Sequence, residues 1–206
     1  MKQADPDLTI DHWTDAPISQ LSDTEATLFN KIMDWIIDLS GAKVFLVNTD
    51  GIGAYPYYYP DAKVPTPFVS GLTLRGNPSG IVIAADAQHR PGVSLARTLT
   101  HEGLHALIRK VGVKETRGKL RATVMMNPTL LKGYDAFKKT PAGEFYVARF
   151  SADTVYEEYA AKVFAHQYGT ETEQQLIAKF VKDNIPDFPI EEYTKQMKEL
   201  LDPSRP

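Results

Sequence analysis

The chain has 206 residues, 43% of them hydrophobic and 24% charged, with a formal net charge of −3 at pH 7. That length holds one ordinary domain with a sizeable core, and the charge lacks the basic footprint of a nucleic-acid-binding protein. No apolar run approaches the roughly 18 residues of a membrane span, and zero cysteines exclude disulfides and thiolate metal sites.

Residues 1–20 are polar, carry Pro6 and Pro17, and read as an irregular arm. The stretch Met1–Asp7 has no apolar leader core, so the expected location is cytoplasmic, or secreted if an export signal has been removed. Ser22-Asp23-Thr24-Glu25 is a capping box that predicts a helix to about Leu39, with Leu28, Ile32, Trp35, Ile36 and Leu39 on its apolar face and Ser40-Gly41 ending it. Val44–Val47 predicts a short strand and Asn48–Gly51 a turn. Tyr55–Pro60 mixes aromatics with prolines and reads as extended; Pro65 and Pro67 keep the next stretch irregular, and 69–75 is a further candidate strand. After a turn at Asn77–Gly80, Gly80–Ala85 is the clearest strand, followed by a loop over Asp86–Gly92.

A helix is predicted from Val93 to Lys110, by Leu95, Leu99, Leu104, Leu107 and Ile108. Beyond it, Arg121–Leu131 reads as helical, Gly133 and Pro141 break the pattern, and Glu144–Phe150 fits strand or helix. Asp153 is a candidate cap for a helix from Thr154 to about Tyr168, closed by Gly169; helices over Glu171–Asn184 and Ile190–Leu201 follow. With no repeat or linker, the expected architecture over 1–206 is one α+β domain, a small mixed sheet packed on the Val93–Lys110 helix with further helices after it.

That helix carries His101-Glu102-Gly103-Leu104-His105. Histidines four apart lie on one helical face and can converge on a single metal ion, with the glutamate beside them as general base. Without cysteine, any metal is held by carboxylates and by a choice among His12, His89, His101, His105 and His166. A catalytic zinc needs a third protein ligand and an open position for water. The metzincin continuation is excluded, because Ile108 and Val111 stand where it needs glycine and histidine. The remaining common choice is a glutamate on a later helix, and Tyr156-Glu157-Glu158-Tyr159-Ala160-Ala161-Lys162-Val163-Phe164-Ala165 offers two.

This second segment resembles the Glu-x-x-Ala motif of the gluzincins. Over about residues 80–168 the chain is similar to minimal zinc peptidases: the ImmA/IrrE type, phage polyvalent-protein peptidase domains, and the anthrax lethal factor and Pro-Pro endopeptidase group. In that register Glu158 aligns with the third zinc ligand, Ala161 with the small residue, and Phe164-Ala165 with the ending. Lys162 departs from the pattern, since an acid or amide usually stands there. Glu157, not Glu158, sits at the centre of the Ala160, Ala161, Phe164, Tyr168 helix face. The resemblance implies a zincin-like fold, Zn2+ held by His101, His105 and Glu158, Glu102 as base, and a peptide or protein substrate, an endopeptidase before an exopeptidase. No nucleic-acid or membrane partner is expected.

Related enzymes stabilise the oxyanion with a Tyr or His near the glutamate helix, which makes Tyr146, Tyr156, Tyr159 and His166 candidates. His12 and His89 read as exposed, Tyr55–Tyr59 as an aromatic edge, and Arg109 as a cation suited to the C-terminal end of its helix. The alternative reading is a zincin scaffold, regulatory or effector, that binds a partner protein with little or highly specific proteolysis.

Overall fold

The structure, a computed structural model, describes residues 21–55, 69–76 and 78–202. Helix α1 (Asp23–Ser40) begins as predicted: the Ser22 hydroxyl accepts the Glu25 N–H at 3.3 Å. It ends at Gly41, whose left-handed φ of 70° returns its N–H to the Ile37 carbonyl. Leu28, Phe29, Ile32 and Ile36 are buried along one face, while Trp35 and Leu39 are only partly covered. The Glu25 carboxylate is used elsewhere. It accepts from the Ser94 hydroxyl at 2.7 Å, at the start of the helix that carries the histidine motif.

Strands β1 (Lys43–Val47), β2 (Gly71–Leu74) and β3 (Gly80–Ala84) form one sheet in the order β1-β3-β2. β1 runs parallel to β3, with Val44 opposite Ile81 and Val47 opposite Ala84. β2 runs antiparallel to β3 at the edge, with Gly71 opposite Ile83 and Thr73 opposite Ile81. The central strand reads as a continuous apolar run because it is covered on both faces; Ile81, Val82, Ile83 and Ala84 are all buried. A 3₁₀ turn at Ala85–His89 follows, where a plain loop is expected. Its Asp86 carboxylate accepts the N–H groups of Thr49 and Gly51, which fixes the turn after β1. Helix α2 (Leu95–Val111) then carries the motif, starting two residues later than the periodicity predicts.

The described chain falls into two units: residues up to Ala106 together with those from Glu191 on, and Leu107–Ile190. The second contains α3 (Val113–Met126), α4 (Pro128–Phe137), α5 (Pro141–Arg149), α6 (Ala152–Phe164) and α7 (Glu171–Asn184); α8 (Ile190–Leu200) ends the described helices. Within the second unit α6 touches α3, α4, α5 and α7. The helix predicted over Arg121–Leu131 is two helices. Asn127 ends α3, its side chain accepts the Thr129 and Leu130 N–H groups, and Pro128 opens α4. Pro141 likewise starts α5 after the Thr140 cap, and Glu144–Phe150 is helical up to Arg149. Ser151, not Asp153, caps α6, which stops at Phe164; His166 takes φ 54° before Gly169 is reached.

Gly133 lies inside α4 and breaks nothing. A Cβ there would strike the Glu173 carboxylate and the Tyr159 hydroxyl, which are bonded to each other at 2.6 Å. Glu173 also completes a capping box with Thr170 at the start of α7. The chain is mixed α and β and mostly helical, and no helix among the described residues is long and apolar enough to cross a membrane. The arm at 1–20, most of the Tyr55–Tyr59 cluster, Pro65, Pro67, Asn77 and the last four residues lie outside the described residues.

Gly103 is the second close approach. The Ile36 side chain on α1 occupies the space a Cβ at Gly103 would need. Gly103→Ala is therefore expected to destabilise the protein by about 1–3 kcal/mol, despite a helix-propensity gain of about 1 kcal/mol. Ile36→Val, which removes the nearest methyl, should reduce that loss in denaturation midpoints. Strict additivity of the two changes would refute the contact.

Candidate metal centre

Helix periodicity places His101 and His105 one above the other on α2, each about 6% exposed. Their Nε2 atoms are 3.3 Å apart, and their rings meet edge to face with centroids at 5.0 Å. Two such nitrogens either share a proton or both direct lone pairs at one cation. Tetrahedral zinc with bonds of about 2.0–2.1 Å to nitrogen separates its ligand atoms by about 3.3 Å. The imidazole pair therefore has the spacing a zinc ion requires.

Glu102, between the histidines in sequence, is 8% exposed. Its Oε1 lies 3.9 Å from His101 Nε2. Its Oε2 is 2.6 Å from the Thr73 hydroxyl, which also lies 2.9 Å from the Glu102 carbonyl. One hydroxyl proton serves one acceptor at a time, and the shorter distance favours the carboxylate. The alternation of β2 puts Gly71 on the same strand face as Thr73. A Cβ at Gly71 would meet Glu102 Cγ and Thr98 Cγ2, each at 2.7 Å. The glycine thus lets the edge strand approach α2, and the threonine two residues on holds the glutamate.

On α6, Glu157 and Glu158 have different surroundings. Glu157 is 1% exposed and ion-paired with Arg117 of α3. Glu158 is partly exposed. Among the described residues, His101, His105 and Glu158 form a group whose ligand atoms lie within 4.8 Å of one another, and Glu157 is not part of it. Two imidazoles and a carboxylate suit zinc, which takes nitrogen and oxygen donors and keeps a further position for water.

The remaining candidates separate by burial. Tyr159 is fully buried and its hydroxyl donates to Glu173; burial and that neighbour raise its pKa above the ordinary tyrosine range. Tyr156 is buried and stacks on Tyr134 at 4.1 Å, and burial together with Tyr156 pushes Tyr134 up to about 12. Both rings serve the packing of the second unit. Tyr146 and His166 are partly exposed, and His89 is exposed at the end of its 3₁₀ turn. His12 lies outside the described residues.

Thr73 and Gly71 escape a reading of the sequence, because nothing in the four-residue strand Gly-Leu-Thr-Leu points from its threonine to a glutamate 29 residues later. Comparison of the chain with protein-family profiles, with curated proteins and with solved structures found no match.

Thr73→Val leaves the Glu102 carboxylate without its hydroxyl donor. It is expected to cost about 1–3 kcal/mol in urea denaturation of the metal-free protein. Thr73→Ser should behave as the parent, and equal losses in both variants would mean that methyl packing matters rather than the hydrogen bond.

Proposed function

We propose that the chain is a zinc-dependent peptidase of the gluzincin kind, in which His101, His105 and Glu158 hold the metal and Glu102 is the general base. The observation that carries the reading is the gathering of those three ligand groups beside Glu102, the HExxH glutamate. Support comes also from the local architecture. A small mixed sheet with an antiparallel edge strand lies against the motif helix, as a zincin-like fold requires. Such an edge offers backbone N–H and C=O groups to which an extended substrate chain can pair.

Zinc bound there would polarise the scissile carbonyl and bring its water towards neutral pKa. The chain's own residues then do the proton work. Glu102 takes the proton of the attacking water at its carboxylate and delivers it to the leaving amine nitrogen as the C–N bond breaks. Thr73 holds the Oε2 atom of that carboxylate, and Oε1, on the His101 side, would take the proton. Burial of Glu102, His101 and His105 keeps bulk water from competing for these contacts.

The purified protein is expected to bind about one zinc per chain by elemental analysis. A peptide library should be cleaved, and chelation should stop the cleavage. Glu102→Gln should keep the metal and lose about 10²–10⁴-fold in rate; undiminished hydrolysis in this variant would rule out Glu102 as the base. Zinc bound without any cleavage would instead favour a binding scaffold.

The two neighbouring acids separate in the same assay. Glu158→Gln is expected to lower zinc affinity sharply, whereas Glu157→Gln should retain zinc and lose thermal stability through its Arg117 partner. The opposite pattern would move the ligand by one residue.

A further inference from the structure

Positive charge is concentrated in one stretch of the chain. Residues 109–150 hold ten Lys and Arg against three Asp and Glu, whereas the rest holds thirteen against twenty-three. The same stretch exposes large apolar side chains: Met125 at 51%, Met126 at 84%, Val147 at 50% and Phe150 at 47%. One contact brings the two ends of this stretch together. Arg121 reaches Asp153 at 3.6 Å, which sets the last turns of α3 beside the junction of α5 and α6. On α5 and its end, Phe145, Tyr146 and Phe150 form a ring cluster with centroids 5.5–6.4 Å apart, and the Arg149 guanidinium lies 4.3 Å from the Phe145 ring. Of the nine residues of α5 only Gly143 is buried, and Phe145 and Tyr146 are partly exposed.

We infer that this surface docks an acidic polypeptide segment bearing apolar side chains, carried by a partner protein. Charge decides the sign of the occupant: ten basic against three acidic side chains lie in the stretch that exposes these apolar groups, and such an excess attracts and orients acidic residues. Exposed apolar side chains grouped on one face mark a contact site. Outside 109–150 the chain is acidic. A long nucleic acid or an anionic bilayer engages a basic surface wider than one local patch. A short acidic segment spans only the local patch, and at physiological salt it senses charge over roughly 8 Å. The flexible thioethers of Met125 and Met126 and the branched Val147 fit irregular apolar side chains better than flat bases. The inference stands whether or not the chain hydrolyses what docks there.

The test uses the full chain and fluorescence anisotropy of labelled peptides that alternate glutamate with leucine and phenylalanine. Saturable binding that weakens with salt is expected. Reversal of both cations, Arg121→Glu with Arg149→Glu, should weaken it at least about tenfold. Arg149→Glu alone provides a variant that leaves the Asp153 contact untouched. Val147→Ser with Phe150→Ser should weaken it by about tenfold, and Lys195→Glu on α8 should change nothing. Equal binding of a lysine-for-glutamate peptide would overturn the inference. So would tighter binding of a single-stranded oligonucleotide or of phosphatidylserine vesicles, or charge-reversal variants that bind as the parent does.

Discussion

Two imidazole nitrogens 3.3 Å apart on a buried helix face impose a constraint on everything around them. Neutral rings with opposed lone pairs repel, and a buried polar atom without a partner costs more than it would in water. A donor N–H or a cation between the nitrogens satisfies both lone pairs. A cation is useful only if the helix holds both rings in register, and the first unit fixes α2 in several ways. Glu25 of α1 accepts from Ser94 at the helix start, Ile36 of α1 fills the space above Gly103, and Tyr193 of α8 packs fully buried beside Thr100 and Arg97. Each contact joins α2 to an element distant in sequence.

The carboxylates show the same chemistry resolved in different ways. Glu102 is covered, the Thr73 hydroxyl donates to one of its oxygens, and the absent side chain at Gly71 lets the edge strand come close enough for that. Glu157 is buried more deeply and is compensated by the Arg117 guanidinium, as a buried acid must be. Glu173 is covered too, and it accepts from Tyr159 while capping α7. Glu158, next to Glu157 and partly exposed, groups with the histidines. A cation is the natural partner for that set of donors.

Much of the fold was legible because it depends on local chemistry. Ser22 and Gly41 mark the ends of α1, the apolar run Ile81–Ala84 marks a strand, and amphipathic spacing marks the helix Glu171–Asn184. The errors were also local rules misapplied. A helix over Arg121–Leu131 runs through Asn127-Pro128, and Pro141 reads as a break, yet a proline at the first turn of a helix starts one. Gly133 read as a breaker and is instead a packing requirement set by Tyr159 and Glu173, residues on two other helices. Glu25 reads as the glutamate of a capping box, but its carboxylate bonds across to Ser94, 69 residues on.

By itself the sequence determined the motif: helical spacing puts residues 101 and 105 on one face whatever the rest of the chain does, because 3.6 residues make a turn. It also determined that no thiolate could take part, since there is no cysteine. Tertiary structure decided which groups meet that face. Thr73 comes from an edge strand, Gly71 makes room for it, and of two adjacent glutamates Arg117 pairs with Glu157. Those pairings depend on where separate elements come to rest, and spacing along a chain carries no record of contacts that packing alone creates.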